Sequence, residues 1–346
     1  MVPRVISILC VDADPDSPEH GGFRYDYPDN LKWKWLPELT DKLGLLRKEV
    51  SQKHAIPLRF SWFARADSQI KKIYGDPGWN LKQFRGMWDD LSKAGDELAW
   101  HPHSWRWSDS ARCWYNETAD SEYMLESFST GFNAFTEVIG REPAACRTGI
   151  NFHNNRTMAY LEELGVKVDL SCHPGTTISY VKANVGGRIK EGSDWNKSPT
   201  SPFHPSRNDY QRPSEGADAL RLLEIPMTVY RRTPTSIRYW INLSPIRDIN
   251  GLTIVRPAVR GWFLPSVWGD RVRFRTALED VFERAKTQGC AHYASYMHSD
   301  DIDDATYQQL ANNIEHMITK ARASQIELEF VTATEANDIL RENMKR

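Results

Sequence analysis

Val5-Ile-Ser-Ile-Leu-Cys-Val11 is an apolar run of strand length that ends at Asp12-Ala-Asp14. A second run, Glu97-Leu-Ala-Trp100, ends at His101-Pro-His103. Residues two apart on an extended chain project to the same side, so each polar pair can point at one position. One Asp and two His can bind a divalent metal, and the other Asp is then free to act as a base. Either pair alone is also typical of a polar turn, but the two together favour a metal-assisted hydrolase.

Strand-like and helix-like segments alternate along most of the chain. Apolar residues recur at helical spacing in Leu39, Leu43 and Leu46, and a strand-like alternation follows from Leu58 to Trp62. Strands that alternate with helices of ten or more residues predict a parallel sheet with helices outside it. About seven such units close best into one distorted (β/α) barrel of the α/β class, whose chemistry lies at the carboxyl ends of the strands.

The length of 346 residues permits either one or two domains. We predict a single barrel domain over residues 1–346. From about 171 to 216 the apolar periodicity vanishes, and Pro, Ser, Gly, Asn and Asp dominate. An apolar run follows this segment at once, so we expect a long loop on the substrate side of the barrel rather than a linker.

The charge balance excludes some classes of partner. Forty-four basic residues stand against 46 acidic ones, which leaves no electrostatic footprint for nucleic acid or anionic membrane. The N-terminus has no long apolar segment followed by a small-residue cleavage site, and no later stretch is long enough to span a bilayer. We therefore expect a cytoplasmic protein. Five cysteines without a CxxC spacing are typical of reduced core residues.

Several short motifs occur in an order that resembles the polysaccharide deacetylase family, the carbohydrate esterase group of chitin, peptidoglycan and nodulation-factor deacetylases. The likeness runs from Val5 to about Asp301. Each motif is weak alone, and the evidence lies in their order. They are Val11-Asp-Ala-Asp14, Gly95-Asp-Glu-Leu-Ala-Trp-His101, Cys146-Arg-Thr-Gly149, Asp169-Leu-Ser171 and Tyr296-Met-His298.

The resemblance implies a role for each motif residue. Asp12 is implied to be the general base, and Arg147 to pair with it. Asp14 and His101 are implied to be metal ligands, and His298 to be the general acid. The implied reaction is hydrolysis of an amide or ester by metal-activated water. The expected metal is zinc, with cobalt, nickel or manganese as alternatives.

The chain departs from the family at one position. The family places its second metal His four residues after the first, and here that position is Trp105. We predict that His103 completes the ligand set of one Asp and two His. If the second His is instead lost, we expect either weak metal affinity or membership of the family's metal-independent or non-catalytic branches.

The resemblance implies that the substrate is a carbohydrate or sugar conjugate from which an acetyl group is removed. Thirteen Trp and 13 Tyr offer faces for sugar stacking, although most aromatic residues in any protein lie in the core. Trp105 and Trp195 are the predicted substrate-binding residues. Two alternatives stay open. One is a metal-independent amidohydrolase of the same fold that acts on a small amide. The other is a non-catalytic carbohydrate-binding relative.

Overall fold

The computed structural model describes residues 2–16, 31–110, 113–184, 187–230, 252–257, 262–263, 271–300 and 303–345. The strands in these ranges are β1 (Arg4–Ala13), β2 (Ser61–Arg65), β3 (Glu97–His101), β4 (Trp105–Ser108), β5 (Cys113–Asn116), β6 (Ala145–Cys146), β7 (Val168–Asp169), β8 (Thr176–Asn184), β9 (Gly187–Asp194), β10 (Leu223–Glu224), β11 (Val229–Tyr230), β12 (Leu252–Pro257), β13 (Trp262–Phe263), β14 (Cys290–His298) and β15 (Glu327–Val331). The α-helices are α1 (Trp35–His54), α2 (Ser68–Tyr74), α3 (Trp79–Gln83), α4 (Arg85–Lys93), α5 (Ser121–Ile139), α6 (Asn155–Glu163), α7 (Arg271–Gln288), α8 (Asp304–Ala323) and α9 (Ala333–Met344).

Within the described residues, the main sheet is a distorted barrel of eight parallel strands. Seven follow the order β10-β7-β6-β3-β2-β1-β14, and β15 lies beside the first half of β1. The second half of β1, from Cys10 to Ala13, pairs with β2. Between the two ends of this path, the Thr228 N–H donates to the Ala294 carbonyl over 2.8 Å. The predicted fold class is confirmed, with eight strands instead of about seven.

Strand β1 is buried on both faces, which explains why it is a continuous apolar run. Successive side chains of β1 alternate between two apolar clusters. Val5, Leu9 and Val11 pack into the larger cluster with the helices. Ile6 and Ile8 pack into the smaller cluster with residues of the other strands. The period of two thus divides one strand between the barrel interior and the helical layer.

Two segments differ from simple sequence patterns. The apolar stripe after Asn80, which resembles one helix, is divided into α3 and α4 at Phe84, whose φ and ψ are −107° and 24°. The region 171–216 contains the antiparallel hairpin β8–β9, and β12 joins this hairpin through β8. The β12–β8 pairing joins distant parts of the chain, whereas the β8–β9 hairpin is formed by adjacent segments within the region expected to be a loop. The single domain and the substrate-side position of this segment stay predictions.

Helix α5 lies very close to the barrel at Gly131. A Cβ at this position would lie 2.0 Å from the carbonyl oxygen of Ala66, which follows β2. Gly44 in α1, by contrast, has no atom within 4 Å of such a Cβ. A side chain on Gly131 would therefore force α5 away from the sheet. Among the described helices, none has both the length and the apolar character that crossing a membrane requires.

Candidate active site

Three buried side chains place their ligand atoms around one point at the carboxyl ends of β1 and β3. His101 Nε2 lies 3.1 Å from His103 Nε2 and 3.6 Å from Asp14 Oδ2. His103 Nε2 lies 3.4 Å from Asp14 Oδ1. Ligands at zinc distances in a tetrahedral site are about 3.3 Å from one another. The three donors thus have the spacing of three corners of such a site, and among the described residues they form the one group of this kind.

The tautomer of His101 is fixed by the backbone. Its Nδ1–H donates to the Arg147 carbonyl oxygen over 2.5 Å, because a carbonyl can only accept. In the neutral ring, Nε2 then keeps its lone pair and points it at Asp14 and His103. A second ring nitrogen that donates to a carbonyl is the usual arrangement of a metal-bound His.

The charge states of the other two donors also suit a cation. Burial, aided by the Arg65 cation, holds the pKa of His103 well below its usual value. Burial alone would raise the pKa of Asp14, but His101 and His103 outweigh it and hold this pKa well below the usual range. A carboxylate with two imidazoles is a typical ligand set for zinc.

Asp12 and Arg147 form a buried ion pair beside the three donors. The Arg147 Nε–H lies 3.0 and 2.9 Å from the two carboxylate oxygens of Asp12. Arg147 also donates from Nη1 to the Leu170 carbonyl over 2.6 Å, and its guanidinium lies 3.8 Å from the centre of the Tyr296 ring. Both members of the pair are almost completely buried, at 1% and 2% side-chain exposure.

His298 lies on the open side of this group. It is the last residue of β14 and the register partner of Asp12 across the β1–β14 pair. Its Nε2 is 4.0 Å from Asp14 Oδ2, and its side chain is 30% exposed, whereas those of Asp12 and Asp14 are 2% exposed. His298 is therefore placed to contact a molecule that approaches from solvent. Ser299 adds support here, since its hydroxyl donates to the Asp14 carbonyl over 2.6 Å.

The sequence interpretation missed Arg65, which ends β2 and is fully buried. Its Nη1 donates to Asp14 Oδ1 over 3.0 Å, its Nε to Asp67 over 2.5 Å, and its Nη2 to Gln69 over 2.8 Å. The sequence feature that could have identified Arg65 is the charged pair Arg65-x-Asp67 at the end of an apolar strand. Asp12 and His101 occupy similar positions at the ends of their strands. A guanidinium therefore shares Asp14 with the two imidazoles.

The two predicted substrate-binding tryptophans lie in the core. Trp105 is fully buried, and its indole stacks on the His103 ring with centroids 5.3 Å apart and planes 15° apart. Trp195 is fully buried as well, packs against Tyr210, and donates its indole N–H to the Asn151 carbonyl over 2.7 Å. Neither ring presents a face to solvent, which argues against sugar stacking by these residues. A local pattern cannot distinguish a core tryptophan from an exposed one.

A buried carboxyl pair is linked to the site through Ser171. Asp169 and Glu224 are register partners across β7 and β10. Burial and the Asp169 charge raise the pKa of Glu224 well above its usual value. The pKa of Asp169 is lowered, because His153 and hydrogen bonds outweigh its burial. Ser171 links the pair to the Arg147 segment, since its hydroxyl donates to Asp169 and accepts from the Thr148 N–H over 2.8 Å.

Comparison with known proteins gives likeness of structure but not of sequence. No family model matches the chain. No curated protein matches it significantly either. A protein from Parabacteroides distasonis, classed as a glycoside hydrolase/deacetylase, superposes with a TM-score of 0.57 at 15% identity, over 99% of this chain and 72% of that one. A polysaccharide deacetylase from Mycobacterium smegmatis superposes with a TM-score of 0.51 at 12% identity, over 99% and 92%.

The chain shares the fold of these two proteins. An allantoinase shares this fold with a TM-score of 0.52 at 13% identity, over 98% of this chain and 90% of that one. At such identities the likeness is one of fold, and the function must be argued from the residues of the site.

Proposed function

We propose that this protein is a metal-dependent hydrolase that removes an acetyl group from an N-acetylated sugar or glycan precursor. The observation that carries the proposal is the spacing of the Asp14, His101 and His103 donors, 3.1 to 3.6 Å apart, directly beside the Asp12–Arg147 pair. Such a group combines three protein ligands with an adjacent proton acceptor, which metal-assisted hydrolysis requires.

Asp14, His101 and His103 would hold the ion, for which zinc is the best candidate and cobalt, nickel or manganese are alternatives. When bound, such an ion polarises the acetyl carbonyl and lowers the pKa of water. Asp12 accepts a proton from the attacking water as its oxygen bonds to the carbonyl carbon. Arg147 orients Asp12 through its buried contacts with both carboxylate oxygens.

His298 is the proposed general acid. It donates a proton to the sugar nitrogen as the carbon–nitrogen bond breaks, which leaves acetate and a free amine. Its partial exposure at the mouth of the site supports this role, because the leaving group must reach it from solvent. The choice of an N-acetylated sugar as substrate rests on the fold shared with the deacetylases.

A second candidate is metal-independent hydrolysis of a small amide. Arg65 favours it, because a guanidinium 3.0 Å from Asp14 already balances the carboxylate charge. The fold shared with an allantoinase is in keeping with this candidate. The two candidates differ in one measurable property, which is the need for a bound ion.

The test is elemental analysis of protein purified without added metal or chelator, combined with acetate release from N-acetylglucosamine oligomers. Wild type is expected to hold about one equivalent of metal, and His103→Ala to lose most of it. His204→Ala is the matched control, because His204 hydrogen-bonds to backbone carbonyls elsewhere and should keep its metal. A metal-free wild type that still hydrolyses amides would favour the second candidate and contradict the first.

A further inference from the structure

We infer that Trp105 and Gly149 are positioning residues that together fix the imidazole plane of His103. The inference rests on the proposed function, since it concerns the ligand that replaces the expected second His. It assigns Trp105 to the support of the metal site. The sequence pattern instead predicted a sugar contact for this residue.

Gly149 lies against a face of the His103 ring. A Cβ on Gly149 would lie 2.0 Å from both Cε1 and Nδ1 and 2.3 Å from Cγ. A point so close to three consecutive ring atoms must lie above the ring plane, because a point beside one edge would be much farther from one of the three. The absence of a side chain at position 149 therefore creates the space that the imidazole occupies.

The turn that carries Gly149 is held in place by β3. The Arg147 N–H donates to the Trp100 carbonyl over 3.1 Å, and the Gly149 N–H donates to the Pro102 carbonyl over 2.9 Å. The next residue, Ile150, adopts a left-handed φ of 55°, which is strained for a β-branched side chain. The fold thus maintains an unfavourable backbone geometry immediately beside the contact with His103.

Trp105 supplies a second contact with the same ring. Its indole stacks nearly parallel to the imidazole, with an interplanar angle of 15° and a centroid distance of 5.3 Å. Trp105 is held in turn, because its carbonyl oxygen accepts from the Tyr123 hydroxyl over 2.6 Å. The backbone of His103 is also fixed, since its carbonyl accepts from Ser127 over 3.1 Å. The indole therefore acts as a rigid flat support for the ligand ring.

In the family that the sequence resembles, the second metal His lies four residues after the first. The contacts of Trp105 and Gly149 explain how a His only two residues after the first can be held as a metal ligand instead. His103 is two residues from His101 and is followed after the same interval by Trp105. The alternation of an extended chain puts the three rings on one side. The Trp105 ring then stacks on the His103 ring, and the Nε2 atoms of His101 and His103 lie 3.1 Å apart.

The test is the affinity of the metal-free protein for cobalt(II), measured by competition with a chelator and followed by the visible absorption of the bound ion. Gly149→Ala and Trp105→Leu are each expected to weaken cobalt binding by about 10- to 100-fold and to alter the absorption band. Trp105→Phe, which keeps a flat ring, is expected to restore wild-type affinity.

Two control variants separate ring positioning from general damage to the core. Trp88→Leu removes an equally buried indole from α4, and Gly44→Ala adds a methyl group where the structure has open space. Both should bind cobalt as wild type does. Trp105→Leu or Gly149→Ala with wild-type affinity would overturn the inference, as would an equal loss in Trp88→Leu.

If wild type binds no cobalt, the inference is tested by the position of the His103 ring in a crystal structure of metal-free Gly149→Ala. Absence of binding would overturn the proposed metal dependence. A displaced His103 ring in Gly149→Ala would still support the positioning role, and an unmoved ring would overturn it.

Discussion

Asp12→Asn is the substitution that examines the proposed base most directly. It replaces a carboxylate by an amide of the same shape and removes one charge from the buried pair with Arg147. The amide oxygen can still accept a hydrogen bond but is a poor proton acceptor. We expect turnover to fall by about 10²- to 10⁴-fold, the usual contribution of a general base. Metal content should not change, because Asp12 is not one of the three donors.

The same substitution should also reduce the free energy of unfolding. Arg147 is 1% exposed, so its charge cannot be solvated when its partner is neutral. Loss of one member of a buried ion pair costs about 3–5 kcal/mol. Arg147 keeps the Leu170 carbonyl and the Tyr296 ring as partners, which places the expected loss near the lower end, at about 3 kcal/mol.

Urea denaturation, elemental analysis and acetate release measure the three quantities on one preparation. Glu329→Gln is the control, because the Arg4–Glu329 pair is about one-third exposed and should contribute below about 1 kcal/mol. Wild-type turnover in a metal-bound Asp12→Asn protein would refute the assignment of the base. A loss of stability no larger than that of Glu329→Gln would refute the argument from the buried charge.

Three further predictions concern the fold around the site. Gly131→Ala should lower the free energy of unfolding by about 1–3 kcal/mol, because its methyl group would lie 2.0 Å from a backbone carbonyl oxygen. Gly44→Ala, at an open position of α1, should raise the free energy of unfolding by about 1 kcal/mol. Equal effects of the two substitutions in chemical denaturation would contradict the close approach of α5 to the barrel. Glu224→Gln should change the free energy of unfolding by less than about 1 kcal/mol, because the raised pKa keeps this carboxyl protonated. Asp169→Asn removes a buried charge and should be clearly less stable than Glu224→Gln. The reverse order of stability would show that the proton resides on Asp169. Burial, with the nearby positive charge of an arginine, lowers the pKa of His292 to about 3, which is below its unfolded value of about 6.5. The unfolded chain then binds the extra proton, so stability is lost as pH falls from about 6.5 to 3, by about 1.4 kcal/mol per pH unit from this residue. His292→Gln should remove that contribution, and parallel pH profiles for the two proteins would count against it.

The fold class and the grouping of most candidate site residues could be predicted because their signals are local. An apolar run buried on both faces identifies a parallel strand, and a polar residue at its end must lie at the carboxyl edge of the sheet. Asp12, Asp14, His101, Arg147 and His298 all follow this rule. Since parallel strands end at the same edge, short segments far apart in sequence were enough to predict which side chains meet.

The sequence by itself determined the alternation of strands and helices, the polar strand ends and the His-x-His spacing, because each depends on periodicity within a few residues. Only the tertiary structure decided that Arg65 shares Asp14, that Gly149 makes room for His103, and that Trp105 and Trp195 are buried. These properties depend on which distant segments pack together, and β2, β3 and β6 meet only in the folded barrel. A tryptophan has the same local pattern whether a neighbouring segment covers it or not, so its exposure is a property of the packing.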